Sequence, residues 1–204
     1  MAKFIKLFQD RKKMTLPITR EEALKLIEKY NKDRSDIIHY LESEAIMGAL
    51  ARRFGEDEKY WKMLGLLHDV DWGITKSNVQ EHLAKAPEIL KGAGFDDKFI
   101  KIVLSHGYGY DIAGLKDMKR TEKIEHALAC AETVTGLIHA YALMRKGLEG
   151  MEVSGLKKKM KDKRFAAAIS RDIIMECEQI ELSLDEFLDI SIKAIQAIAK
   201  DVGF

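Results

Sequence analysis

Residues 64–71 read Leu64-Gly65-Leu66-Leu67-His68-Asp69-Val70-Asp71. His68 follows Trp61 and Leu64 by seven and four positions, the spacing at which side chains share one face of an α-helix. The helix predicted over 58–68 therefore delivers a histidine to the interior at its C-terminal end, with Asp69 directly behind it. A helix predicted over 96–105 repeats the device, since His106 follows Phe99, Ile102 and Val103 by seven, four and three positions. Upstream, a helix beginning near 36 and ending before Gly55 places His39 in line with Ser43, Ile46 and Leu50, on the edge of its apolar face. His82 precedes Ala86 and Ile89 by four and seven, and Pro87 either opens or kinks the helix expected within 81–91, which leaves His82 in the turn before it. The longest helix, predicted over 121–144, carries a small-residue stripe of Leu128, Ala129 and Gly136, and Glu132 is the one acid inside it.

The rest of the chain is read the same way. Thr19 with Glu22 three residues later is a capping box for a helix over 20–31. Ser183 with Glu186 caps a last helix over 183–200, and Gly203 suits its stop. Between them lie a glycine-punctuated loop over 107–115, a lysine-rich segment over 157–163 and a helix near 171–179. Only Pro17 and Pro87 interrupt the chain, and nowhere do Val, Ile and Thr alternate with polar residues for the length of a strand. The fold class expected is all-α.

Composition narrows the function. The chain has 204 residues, 34 Lys and Arg against 33 Asp and Glu, and a formal charge of +1. Such a balance offers no overall field for a nucleic-acid backbone or an anionic membrane. Hydrophobic residues at 47% and charged residues at 33% exclude intrinsic disorder. No apolar run approaches the roughly 18 residues of a membrane span. Met1 to Met14 mixes Phe4, Ile5, Leu7 and Phe8 with five basic residues and has no secretory cleavage pattern, so a soluble, cytoplasmic protein is expected. Cys130 and Cys177 sit in helical patterns and are expected to be reduced core residues.

A single inward histidine is ordinarily a core residue hydrogen-bonded to the backbone. Four of them, His39, His68, His82 and His106, together with Asp69 and Glu132, are too many polar groups for a core to satisfy separately, and a shared metal satisfies them at once. Imidazole and carboxylate ligands suit Zn, Mn, Fe, Co or Ni, and a set of N and O donors drawn from several helices suits a catalytic site with open positions. His126 falls off the stripe and His139 lies a further two turns along, so both are read as structural or surface residues.

The order of His39, the His68-Asp69 pair inside its Leu-Gly-Leu-Leu-His-Asp-Val-Asp context, His82, His106 and an acid on a long later helix resembles the HD superfamily of metal-dependent phosphohydrolases. The likeness runs from His39 to Met144, and the tail Lys157-Lys158-Lys159-Met160-Lys161-Asp162 with Arg164-Phe165 is similar to uncharacterised bacterial members. The resemblance implies an HD-domain helical bundle with the metal site in the helix core. Its expected organisation is an N-terminal segment and first helix over 1–35, the metal-binding core over 36–146 and a helical extension over 147–204 packed on that core. It also implies one or two divalent transition-metal ions (Fe, Mn, Co, Ni or Zn), the first held by His39, His68, Asp69 and Glu132 and the second by Asp69, His82 and His106, with Asp69 bridging and so central to catalysis. Three features depart from the family pattern. Ala131-Glu132 stands where Asp is usual, His106-Gly107-Tyr108-Gly109-Tyr110 only echoes the cyclic-dinucleotide phosphodiesterase signature, and no lysine stands two or three residues after Asp69.

The chemistry implied is hydrolysis of a small phosphoester, possibly a nucleotide, as a phosphomonoesterase or phosphodiesterase. Lys76, Lys157 and Lys158 are the candidates for phosphate contact, although a charge run is usually a solvated face. Two other readings share the ligand pattern: a diiron oxygenase of the HD type, and a non-catalytic metal- or nucleotide-binding module, for which Glu132 in place of Asp is the hint. A homo-oligomer is compatible with all three.

Overall fold

A computed structural model describes residues 15–204, and among them there is no strand. The reading of Met1 to Met14 falls outside the described residues. Helix α1 spans Arg20–Tyr30 and starts on the capping box of Thr19 and Glu22. Helix α2, Arg34–Phe54, is capped by Asp33 and ends at Gly55, whose φ of 66° a glycine adopts without steric penalty. Asp57 caps α3, Glu58–Leu67, by accepting from the Lys59 and Tyr60 amides. After a tight turn comes the short α4, Trp72–Thr75, which the periodicity does not predict.

The helix expected over 81–91 is divided. A 3-10 turn covers Val79–Glu81, His82 lies in the connection, and α5, Ala86–Gly92, opens with Pro87 in its first turn, where the missing amide hydrogen costs nothing. Helix α6 spans Asp97–Ser105, α7 Lys123–Arg145, α8 Val153–Lys161, α9 Arg171–Ile174 and α10 Leu184–Gln196. The lysine-rich segment is thus helical, with Leu156 and Met160 buried beneath the charges. The helix near 171–179 is α only over its first turn and continues as a 3-10 helix, Met175–Ile180. The last helix ends earlier than 200, and its remainder runs on as turns through Gly203.

Helices α2 and α3 form the most extensive helix pair, and α7 lies against α2, α6, α9 and the 3-10 helix Met175–Ile180. Ala127, Leu128, Ala129, Cys130, Ala131, Val134, Leu137 and Ile138 of α7 are all fully buried. This helix is long and apolar enough to cross a membrane by length and composition, which corrects the expectation that no segment would be; 67% of its apolar window is buried inside the fold, as for a core helix. Cys130 and Cys177 are buried and unpaired with each other. Helix α10 packs on α2 and α8 on α7, so residues beyond 146 cover the same core.

Candidate metal centre

Each inward histidine is oriented by a partner on its outer nitrogen. His68 caps α3 and His106 caps α6, where the last carbonyls of a helix have no intrahelical donor. His68 Nδ1 donates to the Gly65 carbonyl at 2.8 Å, and His106 Nδ1 to the Val103 carbonyl at 2.7 Å. On α2, His39 Nδ1 lies 2.8 Å from Thr135 Oγ1, whose own hydroxyl donates to the Glu132 carbonyl at 2.6 Å. Since that hydroxyl proton is committed, Thr135 accepts from His39. His82 Nδ1 lies 3.2 Å from Asp71 Oδ1. Outer partners of this kind set the tautomer and the ring plane of a metal-binding histidine.

The inner nitrogens converge on Asp69. Its Oδ1 stands 3.1 Å from His106 Nε2, 3.2 Å from His82 Nε2 and 3.6 Å from His68 Nε2, while Oδ2 is 3.8 Å from His39 Nε2. Two groups result whose ligand atoms all lie within 4.8 Å of one another, His39 with His68 and Asp69, and Asp69 with His82 and His106. Asp69 belongs to both. Glu132 lines the same cavity but is in neither group; its Oε1 accepts from the Thr133 hydroxyl at 2.5 Å.

Electrostatics show what the cluster lacks. Burial holds His39 below its ordinary range and brings His68 down to about 3, so both rings are neutral. With each Nδ1 proton given outward, the two Nε2 lone pairs face one another at 3.0 Å, an arrangement that asks for a cation between or beside them. His106 Nε2 is buried and has no aligned hydrogen-bond partner, although Asp69 is close. For His82, burial works downward, but hydrogen bonding and charge from Asp69 and then Asp71 outweigh it and push the pKa up to about 10. Burial would raise the Asp69 carboxyl; His68, His106 and His82 overcome it and hold it well below the usual range. Burial pushes Glu132 up to about 7. The donor set, the unpartnered Nε2 and the opposed lone pairs all fit divalent metal.

Asp71 is the site residue that sequence reading passed over, though it stands in the quoted octapeptide. It is completely buried. Besides facing His82, it accepts from the amides of Leu83, Lys85 and Ala86, fixing the turn that carries His82 and the start of α5. Arg120 acts similarly on the other flank: it donates to the carbonyls of Ser105 and Tyr108 at 2.8 and 3.1 Å and pairs with Glu176, which also holds His126 Nδ1 at 2.6 Å. His126 and His139 are structural, the latter bonded to Glu42 at 2.7 Å.

The cluster forms the floor of a cavity of about 360 Å3, lined further by Trp72, Val79, Tyr110, Ile112, Ile169, Thr133 and Ser170 among others. Lys76, Lys157 and Lys158 do not line it. Lys76 is engaged with Asp33 and Asp36 at 2.9 and 3.0 Å, Lys157 pairs with Asp185, and Lys158 is exposed on α8. A larger cleft, about 860 Å3 between α1, α2 and α10, holds none of the histidines.

The family model described as HD domain matches residues 36–161, more than half of the chain. The chain belongs to the HD domain family. Its helical bundle is that of the HD superfamily, whose members are generally metal-dependent hydrolases and bind divalent metals. No curated protein and no solved structure shows significant similarity to the chain.

Proposed function

We propose that this HD domain is a metal-dependent phosphohydrolase acting on a small phosphoester, with His39, His68 and Asp69 holding one divalent ion and Asp69, His82 and His106 a second. The observation that carries the reading is the shared Asp69 between two ligand-spaced groups, with the His39 and His68 lone pairs opposed at 3.0 Å. Bound ions would supply Lewis acidity toward a phosphoryl oxygen and lower the pKa of water. The chain's own part is to orient the imidazoles through Thr135, Gly65, Asp71 and Val103 and to keep Asp69 ionised between them. Glu132, on the cavity wall with its pKa near 7, has the property of a group that moves protons near neutrality.

The test is Asp69→Ala, purified beside the parent, with metal content, circular dichroism and phosphomonoester and phosphodiester hydrolysis measured on both. Metal content and hydrolysis are expected to fall together while helicity is retained. Full metal occupancy in a well-folded variant overturns the reading. One observation favours a second reading, oxidation at two irons: among the described residues, no Lys or Arg lines the cavity. Iron as purified, with dioxygen consumed in place of phosphate released, would establish it.

A further inference from the structure

The walls of the metal cavity differ sharply from its floor. The floor is His39, Asp69, His82 and His106; the walls present Trp72, Val79, Tyr110, Ile112 and Ile169. Val79 and Tyr110 are 49% and 45% exposed, two of the few large apolar side chains that the fold leaves in water, and both stand at this cavity. Exposed apolar surface beside a polar centre is the usual anatomy of a site for an organic ligand. With no Lys or Arg in the lining and Glu132 adding an acid, bound cations and the histidines of the floor are what would balance a ligand's negative charge there. A chain of several phosphates normally engages a set of basic side chains, and this lining has no Lys or Arg.

One wall comes from beyond residues 36–161, the part that matches the family. Ile169 sits over Gly136 of α7, where a Cβ would stand 2.6 Å from Ile169 Cδ1, so the glycine makes the space that brings this side chain to the cavity. Arg171 fastens the segment: Nη1 donates to the carbonyls of Ala166 and Ile169, both at 2.6 Å, and Nη2 to that of Phe165. A guanidinium spent on backbone carbonyls makes this wall a built element, with Ala166 held at a φ of 44° within it.

We propose that the substrate is a phosphoester with a single phosphate and an apolar, ring-sized organic group, and that Tyr110 and Ile169 determine this preference. The proposal rests on the phosphohydrolase reading and names its substrate class. A cavity of about 360 Å3 accommodates a group of that size.

The test is calorimetric binding of phenylphosphonate, methylphosphonate and inorganic triphosphate, none of which requires turnover, to the Mn2+-loaded full chain and to the variants Tyr110→Ser and Ile169→Asn. Phenylphosphonate is expected to bind about tenfold or more tighter than methylphosphonate, from the area of one buried ring, and tighter than triphosphate. Each variant is expected to lose most of that preference while binding methylphosphonate as the parent does. Equal binding of the two phosphonates, stronger binding of triphosphate, or a preference that survives in both variants overturns the proposal, and the phosphohydrolase reading then stands on methylphosphonate binding. Loaded protein that binds no phosphonate overturns both.

Discussion

Gly65 of α3 meets Ser43 of α2 so closely that a Cβ at position 65 would lie 2.5 Å from the Ser43 carbonyl oxygen. The contact lets the two helices approach backbone to backbone, and that approach brings His39 and His68 to 3.0 Å. Gly65→Ala must separate the helices or strain them. Overpacking of this kind costs about 1–3 kcal/mol, and urea denaturation of the variant should show it. Metal affinity is expected to fall as well, because the widened pair no longer shares one ion.

Metal should stabilise the fold. A cation that binds only the native cluster contributes about 2.7 kcal/mol at a hundred times its dissociation constant. Thermal denaturation is therefore expected to rise by several degrees when Mn2+ or Zn2+ is added to chelator-treated protein. In His68→Ala the rise should be smaller, since only the group of Asp69, His82 and His106 stays intact, and an equal rise there would remove His68 from the ligand set.

Asp71 orients His82 and satisfies three amides from complete burial. Asp71→Ala leaves those donors without acceptors, at about 1–3 kcal/mol for each group stranded. Loss of an outer partner typically lowers metal affinity about 10- to 100-fold. Titration should show one ion weakened and the other, on the His39 and His68 side, nearly unchanged.

The Glu42–His139 pair between α2 and α7 makes stability depend on pH. The hydrogen bond that His139 donates to Glu42 raises the His139 pKa above 6.5 against the opposing effect of burial, and burial raises Glu42 above 4.5. Both groups thus hold their protons longer in the folded chain than in the unfolded one. The His139 contribution is fully present below pH 6.5 and is lost as pH rises through its raised value. His139→Gln, which leaves the 1% exposed Glu42 without its charged partner, should cost about 1–3 kcal/mol in urea at pH 6. The difference from the parent should shrink toward pH 9.

The chain order by itself determined the long helices and the inward histidines, though not the short α4 or the 3-10 turns at Val79–Glu81 and Met175–Ile180. Apolar side chains recurring with the helical period fix which face is buried, and His68 and His106 at the ends of such stripes must then point inward, where free terminal carbonyls await their Nδ1 protons. The caps at Thr19, Asp57 and Ser183 are equally local, each acting on amides two or three residues away. What only the tertiary structure decided are relations between segments far apart in the chain. Glu132 has the right helical phase, yet its carboxylate lies outside both ligand groups and accepts from Thr133, because phase gives a direction and does not set the distance to another helix. Lys76 is taken by Asp33 and Asp36 across a gap of some forty residues, and Ile169 reaches the cavity only because Gly136 has no side chain. Such contacts are selected by the packing of whole helices against one another, and no periodicity within a single segment encodes them.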